Sequence, residues 1–214
     1  MKKISIVIVD DHKLIREMWM QTFLRNEKAE IVGDCGEFDE AIEMIKIKRP
    51  DIVMLDINLQ NASGMDAVPL IRKFSPGTHI IAVSMHSQLV YAKKMLQLGA
   101  KGYVTKNSSH LEVFKAIEEV MQGRIYVCSE IKDILSSQVM LSETGVHDLN
   151  SLSLREIDII KLIKSGLSSK EIAGRLMLSI RTVEVHRHNI LKKLKLNNTA
   201  ALINYINSTE LSFD

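Results

Sequence analysis

The chain has 214 residues and a mass of 24.2 kDa, more than one domain of roughly 100–150 residues needs, so two domains are expected. A hydrophobic share of 46% and a charged share of 25% exclude the disordered, collagenous and low-complexity classes. The formal net charge of +2 is unevenly spread: residues 150–214 hold ten Lys and Arg against six Asp and Glu, which leaves the rest slightly acidic and points to an anionic partner for the C-terminal part.

The longest purely aliphatic stretch is Ile6–Val9, far short of a bilayer span. Asp10 and Asp11 interrupt it too early for a signal peptide. Cys35 and Cys128 cannot build a disulfide framework, and no Cys/His spacing suits zinc; both cysteines read as small buried hydrophobes. A soluble, cytoplasmic protein with no membrane partner is expected.

In chain order, short unalternated runs rich in Val and Ile predict buried parallel strands at Ile4–Val9, Ile31–Cys35, Ile52–Leu55, Ile80–Ser84 and Gly102–Thr105. Helical periodicity falls between and after them, at Leu14–Leu24, Glu37–Ile47, Met65–Phe74, Leu89–Leu98 and Leu111–Met121. Strict alternation predicts an α/β fold, a doubly wound five-stranded parallel sheet. Turn chemistry at Ser136-Ser137, Ser142–Gly145 and Asn150-Ser151 marks a boundary, with a linker helix possible over Ile131–Met140. The remainder reads as all-α, with four helices at Leu154–Lys164, Ser169–Leu176, Ile180–Leu194 and Thr199–Ile206, and Ser179 as an N-cap. The expected division is 1–127, a linker over 128–150, and 151–214.

In a doubly wound sheet chemistry gathers at the carboxyl ends of the strands. Asp10 and Asp11 close the first strand and Asp56 the third; Ser84 ends the fourth and Lys106 the fifth. Three clustered carboxylates repel unless a cation sits among them. Hard oxygen donors suit Mg²⁺, and a hydroxyl with an ammonium can hold the other oxygens of a phosphoryl group. Asp56 would be the nucleophile, forming an acyl phosphate.

Val9-Asp10-Asp11-His12, Leu55-Asp56-Ile57-Asn58, Val83-Ser84-Met85-His86 and Gly99–Lys106 together resemble a response-regulator receiver domain, over residues 2–127. The resemblance implies a flavodoxin-like receiver in which Asp56 accepts phosphate from a sensor histidine kinase. Asp10, Asp11, Asp56 and the Asn58 backbone carbonyl would hold Mg²⁺. Ser84 and Lys106 would contact the phosphoryl oxygens, and Tyr103 would swing inward with Ser84. Asn58 and His86 occupy the positions where such domains tune phosphoryl lifetime. Gln60 stands where receivers often carry Pro, which implies a more mobile Asn58–Ser63 segment. Asn107 stands where a cis-Pro is common, so no cis bond is implied.

Leu152-Ser153 with Glu156, Gly166, Lys170–Ala173, Leu178-Ser179, Arg181–His186, Ile190 and Lys193-Leu194 resemble the helix-turn-helix of the LuxR/FixJ class. Joined to a receiver, the chain is similar to the NarL subfamily of two-component regulators. Two helices with a short turn between them suit the major groove of double-stranded promoter DNA. Lys170, Arg181, Thr182, Glu184, Val185, His188 and Lys192 are the expected DNA contacts. Glu184 either accepts from a cytosine amino group or pairs within the helix with Arg181 or His188. Leu202, Ile203 and Ile206 suggest that the last helix serves a homodimer formed on phosphorylation. The implied function is a phosphorylation-switched transcription regulator, not an enzyme beyond its own phosphorylation and slow dephosphorylation. The alternative is a phosphorylation-independent DNA-binding regulator with a vestigial receiver. An aspartyl phosphatase is disfavoured because Asn58, not a second Asp, follows Asp56 by two.

Overall fold

The computed structural model describes residues 2–59, 62–142 and 152–208. The chain divides into two compact units, Met1–Ser87 with Tyr91–Asp133, and Ile134–Asp214 with Gln88–Val90.

The first unit alternates β1 (Ile4–Val9), α1 (Lys13–Phe23), β2 (Ala29–Cys35), α2 (Phe38–Lys48) and β3 (Ile52–Asp56). A hairpin of two-residue strands follows, β4 (Asn58–Leu59) and β5 (Ala62–Ser63). Then come α3 (Gly64–Phe74), β6 (His79–Ser84), α4 (Leu89–Leu98), β7 (Gly102–Thr105), α5 (His110–Met121), β8 (Tyr126–Val127) and α6 (Ser129–Ser142).

The sheet is parallel throughout, in the order β2-β1-β3-β6-β7-β8. All five expected strands are present, and a sixth, β8, extends the sheet. Tyr126-Val127 is too short to show a period, so tertiary pairing with Gly102-Tyr103 creates it. β3 is buried along its whole length, as a central strand covered on both faces must be.

The strand order reverses between β1 and β3, which places their carboxyl ends side by side; Val9 pairs with Leu55. Gly64 lets the chain fold back there: a Cβ would stand 2.0 Å from the Asp56 carbonyl oxygen, so no other residue fits. Gln60, and with it the expected effect of the missing proline, lies outside the described residues. No cis peptide bond occurs among the described residues.

The second unit holds α7 (Leu154–Lys164), α8 (Ser169–Arg175), α9 (Ile180–Lys193) and α10 (Thr199–Ser208). Ser153 and Ser168 open α7 and α8 with full capping boxes, closed by Glu156 and Glu171. Ser179 caps α9 by accepting from the Thr182 amide, as expected. The apolar stripes meet in a core of Ile160, Ile172, Val183, Ile190 and Leu194, with Leu202 and Ile206 from α10. Leu176 and Leu178 are half-buried. The expected linker helix is part of α6; residues 143–150 lie outside the described residues.

Candidate functional site

Register brings the acidic residues together. Asp10 and Asp11 follow β1 and Asp56 ends β3, on neighbouring strands. Asp10, Asp11, His12 and Asp56 each offer one ligand atom within 4.8 Å of the others. Lys106, one residue past β7, reaches in from two strands away. Its Nζ lies 2.8 Å from Asp10 Oδ2 and 2.7 Å from Asp56 Oδ2. The Lys106 backbone amide is held by the Ser84 carbonyl at 2.7 Å. The second Asp56 oxygen, Oδ1, accepts from the Asn58 amide at 3.1 Å.

One ammonium meets two carboxylates, with a third, Asp11, in the same cluster. Burial pushes the Asp56 carboxyl up from the ordinary carboxylate range, and Asp10 adds to this against the pull of Lys106. Burial works against the Lys106 charge, yet its hydrogen bonds to Asp10 and Asp56 outweigh it and hold the ammonium above its ordinary value. Burial is the larger cause for Asp56 and the paired carboxylates the larger for Lys106, so the two groups move up for different reasons.

Asp11 Oδ1 is buried and accepts no hydrogen bond. His12 Nδ1 lies 2.7 Å away, and 3.1 Å from Asp10 Oδ1. A buried carboxylate oxygen that accepts no hydrogen bond, in an anion-rich set of hard donors, fits a divalent cation. Sequence reasoning quoted His12 only as part of the strand-end motif; its place beside two aspartates was the available signal.

The Ser84 hydroxyl is fully buried and accepts from the His86 amide at 3.0 Å. Tyr103 is buried too, its hydroxyl donating to the His86 carbonyl at 2.7 Å. Asn58 Nδ2 lies 3.0 Å from His86 Nε2. The structure thus gathers Asp10, Asp11, Asp56, Asn58, Ser84, His86, Tyr103 and Lys106 at one end of the sheet. Cys35 and Cys128 are buried away from solvent, and burial pushes the Cys35 thiol up to about 12.

The second unit presents a different surface. Arg181, Glu184, Val185, His188 and Lys192 share one exposed face of α9, opposite the buried Val183, Ile190 and Leu194. Thr182 is half-buried and Lys170 is exposed on α8. Glu184 makes no ion pair with Arg181 or His188 among the described residues. Three tethers hold this face. Arg155 donates to the Leu176 carbonyl at 2.7 Å, bracing the turn where Met177 takes φ +51°. Arg187 donates to Ser169 Oγ at 2.9 Å and Thr199 Oγ1 at 3.0 Å, joining α9 to α8 and α10. Lys193 donates to Glu156 Oε2 at 2.7 Å, joining α9 to α7. Sequence reasoning passed over Arg155 and Arg187, whose partners lie 12 to 21 residues away.

Comparison with known proteins agrees with both units. Residues 6–118 match the response regulator receiver domain, and residues 150–206 match the bacterial regulatory proteins of the luxR family. The Fimbriae Z protein of Salmonella typhimurium is 32% identical over 99% of this chain and 100% of its own length. The oxygen regulatory protein NreC of Staphylococcus epidermidis is 34% identical over 94% of this chain and 95% of its own. Among solved structures, a LuxR-family two-component response regulator from Aurantimonas covers 65% of this chain and 99% of its own at 29% identity, with a TM-score of 0.61. RcsB of Salmonella, solved on promoter DNA with a phosphomimetic, shares the fold at 22% identity over 97% of this chain and all of its own, with a TM-score of 0.69. The chain belongs to the response regulators of the LuxR family, phosphorylation-switched transcription regulators that join a receiver to a helix-turn-helix.

Proposed function

We propose that Asp56 is the phosphoacceptor, and that its phosphorylation by a sensor histidine kinase switches a dimeric, DNA-binding state. The observation that carries this is the buried Asp56 carboxylate, gripped by Lys106 Nζ at 2.7 Å beside two further aspartates. The receiver spans 1–127, the linker 128–150 and the DNA-binding domain 151–214.

An Asp56 oxygen attacks the phosphorus of the kinase's phosphohistidine. The new O–P bond forms as the N–P bond breaks, and the electron pair returns to the imidazole nitrogen. Lys106 orients the carboxylate and then neutralises a phosphoryl oxygen. Asp10, Asp11, Asp56 and the Asn58 backbone carbonyl would hold Mg²⁺, which would supply charge neutralisation there. Ser84 turns its hydroxyl to another phosphoryl oxygen. The oxygen can go on accepting from the His86 amide while the hydrogen turns to the phosphoryl group, and Tyr103 stays buried in the space behind. The chain's catalysis is confined to its own phosphorylation and slow dephosphorylation.

Ser84, Tyr103 and Lys106 lie on neighbouring strands that lead to α4 and α5, so their rearrangement biases that surface. The first turn of α6 is tied in as well: Glu130 accepts from Thr105 Oγ1 at 2.7 Å and the Cys128 amide donates to the Tyr103 carbonyl at 3.0 Å. On DNA, Arg181, Lys192 and Lys170 neutralise phosphates, while Thr182, Val185 and His188 approach base edges. Glu184, exposed and without an ion-pair partner, is placed to accept from a cytosine amino group. Leu202 and Ile206 are spent on the domain's own core, which leaves the half-exposed Ile203 as α10's contribution to a twofold contact. No described helix is long and apolar enough to cross a membrane, consistent with action in the cytoplasm.

The test is sedimentation of the full chain with Mg²⁺, with and without a small phosphodonor or beryllofluoride, for wild type and Asp56→Asn. A mass shift confined to wild type, with one phosphoryl group found by intact mass, is expected. No incorporation in wild type would sink the mechanism and leave the phosphorylation-independent regulator.

A further inference from the structure

We propose that Tyr91 is a positioning residue for the chemistry at Asp56: by stacking on His86 it holds the imidazole that fastens the Asn58 amide beside the phosphorylated carboxylate, and so lengthens the life of the acyl phosphate. The inference rests on Asp56 being the phosphoacceptor.

His86 is held on every side. Its amide donates to Ser84 Oγ at 3.0 Å, and its carbonyl accepts from the Tyr103 hydroxyl at 2.7 Å. Its ring lies flat on that of Tyr91, with centroids 4.1 Å apart and planes 11° from parallel. Its Nε2 lies 3.0 Å from Asn58 Nδ2. An amide NH₂ can only donate, so Nε2 accepts and its lone pair is occupied. His86 and Tyr91 are buried, whereas Asn58 is exposed. An exposed Asn side chain samples several rotamers, and the bond to His86 selects one.

That rotamer matters because of where it stands. The Asn58 backbone amide already donates to Asp56 Oδ1. The Asn58–His86 bond therefore bridges the chain two residues beyond Asp56 to the chain two residues beyond Ser84, across the neighbouring ends of β3 and β6. A water that hydrolyses the acyl phosphate must come in line with the bond it breaks. Its oxygen bonds to phosphorus, the bond from the Asp56 oxygen to phosphorus breaks, and that electron pair returns to the carboxylate. One water proton ends on a phosphoryl oxygen, so the products are free Asp56 and dihydrogen phosphate. The bridge, two residues past Asp56, narrows the approach of this water to the phosphorylated carboxylate. It also keeps the His86 Nε2 lone pair from accepting a proton of that water. Tyr91, on α4, contributes no atom to the reaction; it keeps the imidazole in the plane that the Asn58 amide needs.

The experiment loads full-length protein with a small phosphodonor and Mg²⁺, removes the donor, and follows loss of the phosphoryl group by intact mass. Tyr91→Ala should load to the wild-type extent but lose phosphate about fivefold faster, the equivalent of one hydrogen bond. Tyr91→Phe keeps the stack and should decay within about twofold of wild type. His86→Phe keeps an aromatic ring against Tyr91 and removes the acceptor; it should decay as fast as Tyr91→Ala, and it guards against an alanine variant that fails to fold. Equal lifetimes for wild type, Tyr91→Ala and His86→Phe would overturn the proposal. So would a Tyr91→Phe as short-lived as Tyr91→Ala, since the ring would then not be the cause. Absence of loading in wild type would remove the Asp56 reading itself, and this inference with it.

Discussion

Each unit of the chain is pinned by a lysine that reaches across elements to a buried carboxylate, and the two pins differ in balance. Lys193 meets one carboxylate, Glu156, whose other bonds come from the Ser153 amide and hydroxyl. Charge matches charge and each donor has its acceptor. Lys106 meets two carboxylates at once, with a third beside them whose Oδ1 is left without a hydrogen bond. The first arrangement is complete as it stands and holds α7 to α9. The second carries surplus negative charge at a place where a cation and a phosphoryl group can enter. A salt bridge that closes its own ledger is structural; one that leaves an excess points to a site.

The comparison breaks most sharply under carboxylate removal, which should have opposite signs in the two places. Glu156→Ala leaves the Lys193 ammonium unmatched and strips the α7 cap, so unfolding of the second unit should become easier by about 2–3 kcal/mol, a figure tempered by the partial exposure of Lys193. Chemical denaturation of the full chain reads it. Asp11→Asn instead relieves repulsion. Without divalent cations it should stabilise the first unit by roughly 0.5–1 kcal/mol, and it should blunt the gain in melting temperature that Mg²⁺ gives wild type. If Asp11→Asn destabilised the cation-free protein as Glu156→Ala does, the distinction between a complete pair and an incomplete one would be lost.

Acid sharpens the same point. Burial pushes the Glu156 carboxyl up, but Lys193 and the Ser153 donors outweigh it and hold it below 4.5. A group lowered in the folded state contributes stability that is fully present above its unfolded value and is lost as pH falls through the folded one. The second unit should therefore lose part of its stability below about pH 4.5. In Glu156→Gln that acid limb should flatten. Melting followed at pH 3, 4, 5 and 7 in both proteins checks the sign.

What the sequence let one read, and what it hid, divides along similar lines. The strands of the sheet announce themselves as unalternated Val/Ile runs because they are covered on both faces, and Ser179 announces a helix start because capping is local. Asp10, Asp11, Asp56, Ser84 and Lys106 were legible too, since a doubly wound topology sends every strand end to the same edge, whereas Asn58, His86 and Tyr103 were legible only through the resemblance to receiver domains. Most of the hidden features depend on partners distant in sequence or on very short elements, and the rest on side-chain packing that no local pattern records. β8 spans two residues and borrows its order from β7. Nothing local marks Arg187 as a tether between Ser169 and Thr199, or Tyr91 as the plate beneath His86. Glu156 and Lys193 are visible as separate motif residues, but their pairing across 37 positions is a product of packing.

The smallest effect expected separates two lysines that are neighbours in the chain. Lys193, itself partly exposed, donates to the buried Glu156, whereas Lys192 lies on the exposed face with Arg181 and His188 and makes no ion pair among the described residues. A helix turns about 100° per residue, so adjacent lysines face different surroundings and answer to different physics. Lys192→Ala should leave the stability of the second unit within about 0.5 kcal/mol, since an exposed charge without a partner contributes little to folding. It should instead remove one phosphate contact, lowering the slope of log affinity against log salt by about 0.9 and weakening DNA binding similarly for every sequence. Lys193→Ala should do the reverse, lowering stability and altering binding only through the loosened α9. Fluorescence titrations of duplex DNA at 50 to 200 mM salt, run beside denaturant melts of the same two variants, read both quantities. A Lys192→Ala slope equal to that of wild type would mean that this face of α9 does not meet the phosphate backbone, and the DNA-contacting surface would have to be sought on the Lys170 side of α8.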